Sequence, residues 1–159
     1  MTMPPDHARV RRRTLALLLM AVSTSASAQR PATAPSVTVR EAWARPCLLG
    51  TPCGVYVTLA NGAATAVDVI AVTSPQATTV EMHETMLHGG QAHMMAHPTA
   101  TIPPRGVLEG RPGKWHLMLG GVRRALVVGD SIALTFTVQH QDRARRRERI
   151  AAVAIVRAP

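Results

Sequence analysis

From residue 37 onward, apolar and polar positions alternate in short runs broken by turn residues. Val55, Val57 and Leu59 alternate with Tyr56 and Thr58 until Asn61-Gly62 closes the run, and Val67, Val69 and Ala71 follow, with Ser74-Pro75 as a stop. After Gly129-Asp130, Ile132, Leu134, Phe136 and Val138 alternate with Ala133, Thr135 and Thr137, and a last apolar run extends from Ile150 to Val156. Successive side chains of a strand point to opposite faces, so a period of two marks strands that bury one face. Short β-branched runs at this spacing, punctuated by Gly, Pro and Asn, predict an all-β domain, either an antiparallel sandwich or a Greek-key barrel. No segment beyond residue 36 carries a helical period, and there is no internal repeat.

The N-terminal segment follows a different pattern. Arg9, Arg11, Arg12 and Arg13 precede an apolar run from Leu15 to Val22, and Ala26-Ser27-Ala28 follows. A basic region, a short apolar region and a small-residue exit describe a secretory signal peptide, because the run is too short to stay as a membrane span. The expected organisation is a signal peptide over 1–28, a flexible Pro/Ala/Thr-rich leader over 29–36, and one domain over 37–159 with no membrane span in the mature chain.

Removing residues 1–28 leaves 14 basic and 8 acidic residues, a net charge of +6. Much of the excess lies in the run from Arg143 to Arg149, read as a solvated hairpin tip between two apolar strands, or alternatively as a docking patch for an acidic partner. Nucleic acid is excluded as a partner, since an exported chain rarely meets it and no aromatic residues interleave with the basic ones to stack on bases. The low aromatic content of 3% leaves the core to Val, Leu, Ile, Ala and Met. Cys47 and Cys53, separated by Leu-Leu-Gly-Thr-Pro, are expected to form a structural disulfide in an oxidising compartment.

The middle of the chain carries the chemistry. Between Met82 and His97 lie Met82, Met86, Met94 and Met95, half of the eight methionines, and four of the seven histidines, His83, His88, His93 and His97. Methionine fills cores readily, but a polar hairpin dense in both Met and His is not explained by packing. A hairpin of Thr79–Met86 and Gln91–His97 closed by Leu87-His88-Gly89-Gly90 places His83 opposite Met94 on one face and Met82 opposite Met95 on the other, core-facing side. In Lys114-Trp115-His116-Leu117-Met118, strand alternation sends Trp115 and Leu117 into the core and leaves His116 and Met118 side by side. The remaining histidines of the hairpin, His88, His93 and His97, are expected to face solvent, with a second, weaker copper site as the alternative.

Joined, His83, Met94, His116 and Met118 make a site of two imidazoles and two thioethers. Thioether sulfur is soft and uncharged, which favours Cu(I) over Zn(II), Ca(II) or Mg(II). Methionine also cannot be lost to a disulfide in an oxidising compartment, although it can form a sulfoxide.

His83, ten residues, Met94, twenty-one residues, then His116-x-Met118 resembles the signature of the periplasmic PCuAC copper chaperones. Val80-Glu81-Met82-His83-Glu84-Thr85-Met86 and Glu41-Ala42-Trp43-Ala44-Arg45 look similar to that family's ligand strand and first strand. The resemblance covers nearly the whole mature chain. It implies a cupredoxin-like β-sandwich, a periplasmic location, and delivery of Cu(I) to the binuclear copper centre on subunit II of cytochrome c oxidase, directly or through a thioredoxin-fold copper-insertion protein. The Cys47/Cys53 pair, the extra hairpin histidines and the lack of a His/Met-rich C-terminal tail depart from that pattern. Rival readings are a copper-buffering or tolerance protein and a structural β-sandwich without metal. An electron-carrying cupredoxin fails for want of a cysteine beside a His and a Met. No nucleophile–base pair or open metal triad suggests an enzyme.

Overall fold

The computed structural model describes Thr2 and residues 35–158. Residues 35–158 belong to one compact unit. The signal peptide expected over 1–28 and nearly all of the leader over 29–36 lie outside the described residues. Among those described there is no helix, and so none long and apolar enough to cross a membrane.

The described residues form ten strands in order: β1 Val37–Ala44, β2 Cys53–Asn61, β3 Val67–Thr73, β4 Thr79–His88, β5 Gln91–His97, β6 Ala100–Ile102, β7 Val107–Leu108, β8 Trp115–Gly120, β9 Ser131–His140 and β10 Arg147–Val156. They join in one continuous ladder, β5-β4-β8-β2-β1-β10-β9-β3-β6, with β7 on β2. The first and last strands pair in parallel through Trp43↔Ile155 and Ala44↔Val156, and the other ladders are antiparallel. Contacts between β3 and β4 and between β2 and β6 fold the ladder over on itself, so both halves pack onto one core. The architecture is the all-β, cupredoxin-like sandwich that the sequence and the resemblance led us to expect.

The alternation becomes the core directly. Val55, Val57 and Leu59 of β2, Ile132, Leu134, Phe136 and Val138 of β9, and Ile150 to Val156 at every second position of β10 are buried. Each fully buried Val, Leu or Ile contributes roughly 1.5–3 kcal/mol of transfer free energy, so the aliphatic strands carry the stability with Phe136 and Trp115 as large fillers. One alternation differs from expectation. A bulge between Val69 and Ala71 shifts β3, so Val72 enters the core and Ala71 is exposed. A bulge adds one residue to one strand and thereby exchanges the faces beyond it.

Two polar groups fasten the ends of the body. Buried Asn61 donates from Nδ2 to the carbonyls of Thr65 (2.9 Å) and Pro103 (3.0 Å) and accepts from the Ala63 amide (2.8 Å), which fixes the turn after β2. The Ser36 amide and hydroxyl both donate to Glu148, at 3.2 and 2.9 Å, tying the start of β1 to β10. Cys47 and Cys53 are joined as a disulfide with Cα atoms 5.6 Å apart. The basic run forms the β9–β10 turn and the start of β10, where Arg147 Nε donates to Gln139 Oε1 at 3.0 Å and Arg146 pairs with Glu148 at 3.4 Å.

Candidate metal centre

The site is built on β4, which has β5 on one side and β8 on the other. On the β8 side His83 stands directly opposite His116, with ring centroids 5.9 Å apart, and Glu81 stands opposite Met118. Directly opposed residues share a face, and residues two apart on a strand share it as well. His83, His116 and Met118 therefore form one contiguous patch on the outer face, with Met118 diagonal to His83. Trp115, Leu117 and Leu119 point the other way and are buried at 5%, 0% and 0% exposure, which holds β8 against the core.

The hydrogen bonds decide which ring nitrogens are free. His116 Nδ1 lies 2.9 Å from the Lys114 carbonyl, an acceptor only, so Nδ1 carries the proton and Nε2 keeps its lone pair. His83 Nε2 lies 3.0 Å from Glu81 Oε2 and donates to it, leaving Nδ1 as the lone pair, buried and without a hydrogen-bond partner. A buried polar atom normally finds a partner, and an orphan asks for an explanation. A soft cation between the two rings supplies one. The Glu81–His83 pair is the arrangement in which a carboxylate fixes the tautomer and orientation of a ligating imidazole.

Met94 is placed differently from expectation. Gly89 and Gly90 both take positive φ, 58° and 81°, and close the β4–β5 hairpin in two residues. This is the geometry favoured for two-residue hairpins, and glycine adopts it without steric cost. The loop is thus shorter than the four residues expected, and the pairing moves by two: Met94 opposes Thr85, and His83 opposes Ala96. Because the side-chain period is also two, the faces survive. Met94 shares the face of His83 but sits one diagonal away on the edge strand, 61% exposed, and is not brought against His116 and Met118.

Met82 is buried at 6%, as expected of a core residue, but Met95 is 51% exposed. Both point to the same side, yet the opposing layer lies under Met82 and not under the outer hairpin, where no residue of β5 is buried. His88 and His93 are exposed; His97 is half-buried, 3.7 Å from Glu84.

Residues 37–146 match the family described as LpqE-like. A curated relative from Leifsonia xyli subsp. xyli, named "Putative lipoprotein Lxx21020", is 33% identical over 123 residues, 76% of this chain and 74% of its own. The chain belongs to the LpqE-like family. Among solved structures, the copper-bound PCuAC domain from PmoF2 superposes with a TM-score of 0.61 at 21% identity, covering 79% of this chain and 95% of that one, a likeness of fold. Apo-DR1885 from Deinococcus radiodurans is 28% identical, with a TM-score of 0.53 over 91% of this chain and 96% of its own. The same protein's CuI form is 27% identical, with a TM-score of 0.51 over 86% and 85%. The lipoprotein designation belongs to the relative; in this LpqE-like chain the two cysteines are bonded to each other.

Three groups around this candidate site were not anticipated from sequence: Glu81, the Lys114 carbonyl and Tyr56. Glu81 was legible in principle, since it lies two residues before His83 on the same strand face. Tyr56, 8% exposed, places its ring centroid 6.1 Å from that of His116 and 4.5 Å from that of Trp43. It covers His116 on the β2 side, and that adjacency depends on β8 pairing with β2, which no local pattern announces.

Proposed function

We propose that this chain is an exported, periplasmic Cu(I) metallochaperone and not an enzyme. It carries one tightly held ion on His83, His116, Met118 and Met94, and delivers it to the binuclear copper centre on subunit II of cytochrome c oxidase, directly or through a thioredoxin-fold copper-insertion protein. The observation that carries this reading is the pair of free imidazole lone pairs on opposed His83 and His116, with the Met118 thioether beside them and, among the described residues, no group of three His, Cys, Asp or Glu placed to hold a metal ion together. Two neutral nitrogens and thioether sulfur suit a soft monovalent ion and offer little to a hard one. The copper-bound PmoF2 domain and CuI-DR1885 support the same cargo on the same fold. Met94 completes the set when the outer hairpin moves its edge strand toward His83. The hairpin has no layer beneath it to resist that motion, and regions with few buried contacts open at low cost.

Export rests on the signal-peptide pattern of residues 1–28 and agrees with the lipoprotein naming of the relative. Delivery is tested by mixing the Cu(I)-loaded protein with the apo copper domain of oxidase subunit II, with and without the thioredoxin-fold protein. Transfer of copper to either acceptor is expected. Retention of the metal against both would favour copper buffering instead.

A further inference from the structure

We infer that the outer β4–β5 hairpin carries a second soft-metal site, formed by Met86 and His88 of β4 with His93 and Met95 of β5, on the face opposite His83 and Met94. The ladder puts Met86 directly opposite His93. His88 is two residues further along β4 and Met95 two residues further along β5, so both fall on the same face as that pair and one diagonal from it. The four supply two imidazoles and two thioethers, the same donor types as the first site. They also line one concavity with Leu87 and Met94 at the hairpin end. His97 is left out, because it lies opposite buried Met82 and is drawn to Glu84 at 3.7 Å.

Stability gives no reason for this composition. Met86 and Met95 are 49% and 51% exposed and make no core, and His88 and His93 are exposed beside them. Strand β5 is also the outer edge of the ladder, and Gln91–His97 contains no Lys, Arg, Asp, Glu or Pro. Edge strands are ordinarily blunted by charge or proline, and exposed apolar residues there invite pairing with other chains. Methionine and histidine on such an edge are explained if they serve as donors. The chemistry selects a thiophilic monovalent ion, Cu(I) or its redox-inert analogue Ag(I). Because its donors are exposed and must be ordered on binding, this site is the weaker of the two.

The inference does not depend on the function proposed for the first site, and the test separates them. The purified protein, labelled with 13C at the methionine methyl groups, is titrated with Ag(I) in the presence of a competing ligand. The first equivalent is expected to shift the Met118 methyl, and the second to shift Met86 and Met95. In H116A/M118A protein the Met86 and Met95 shifts should persist at the same competitor strength, whereas M86A/M95A protein should bind one equivalent and keep the Met118 shift. Both pairs of substitutions leave the fold measurable by the remaining methyl signals. If Met86 and Met95 fail to shift while Met118 does, or if their shifts vanish in H116A/M118A protein, there is no second site. Absence of a Met118 shift alongside normal Met86 and Met95 shifts would instead remove the first site and leave this one standing.

Discussion

The sandwich body and its outer hairpin use the same residue types for opposite purposes. In the body strands such as β9 and β10 alternate a buried face with a more exposed one, β2 has no exposed position, and methionine, at Met82, is filler at 6% exposure. In the hairpin the strands continue with identical backbone pairing, but the opposing layer stops, and Met86, Met94 and Met95 are about half exposed or more. What separates a packing methionine from one left available as a donor is therefore the presence of a second layer, not the residue or its strand. The proposed first metal patch sits at the boundary, where β4 is still held by β8 and the core, and its candidate donor most exposed to solvent, Met94, lies on the outer side.

That contrast can be broken by substitution. The largest effect is expected for H116A/M118A, which removes two donors from the ordered part of the patch. Cu(I) affinity should fall by more than the roughly 10–100-fold typical of losing an outer-shell partner, as read by chelator competition, while the circular dichroism spectrum is retained. Next comes Met82→Ala, which should cost about 2–5 kcal/mol in denaturant melts because it empties a core position, with copper binding preserved. Met95→Ala, on the same strand face but without a layer beneath it, should change stability by no more than about 0.5 kcal/mol. Equal losses for Met82→Ala and Met95→Ala would mean the hairpin is covered in solution. Glu81→Gln keeps the side chain's shape but loses the charge that orients His83, and should weaken Cu(I) by about tenfold, at the low end for an outer partner. The smallest effect belongs to the body. Arg124 donates to both oxygens of Asp130 (2.7 and 3.0 Å), and together with the Val127 amide this holds the Asp130 carboxyl down at about 2. The folded state then binds fewer protons than the unfolded one, so the stabilisation is complete above the ordinary value of 3.8 and is lost as pH falls toward 2. The melting difference between wild type and Asp130→Asn should accordingly shrink across that window, and the hairpin's metal affinity at neutral pH should not change with the substitution.

Much of the body was legible because β9 and β10 bury one face, and their period of two reports that directly; β2 carries the same alternation in sequence, although Tyr56 and Ala60 on its other face are buried as well. The bulge in β3 was not legible, since one inserted residue leaves no mark until pairing is known. Within the hairpin the faces were legible but the partners were not. A Gly89-Gly90 turn and a four-residue loop both fit the string Leu-His-Gly-Gly, and they differ by two residues, which preserves every face while moving Met94 off His83. Burial of Met95 was expected because alternation assigns it to the inner side, and alternation carries no information on how far the other layer extends. The opposition of His83 and His116, the closest histidine pair of the site, arises from β8 inserting between β4 and β2. That order is a property of the whole chain.

Soft donors from opposed strands are proposed to hold one Cu(I) on the outer face of β4. Copper-edge X-ray absorption of the purified protein loaded with a single equivalent of Cu(I) tests it most directly. A Cu(I) edge is expected, with a first shell of imidazole nitrogen together with thioether sulfur, the sulfur contribution falling in Met118→Ala protein. A shell of nitrogen and oxygen alone, unchanged by Met118→Ala, would contradict it.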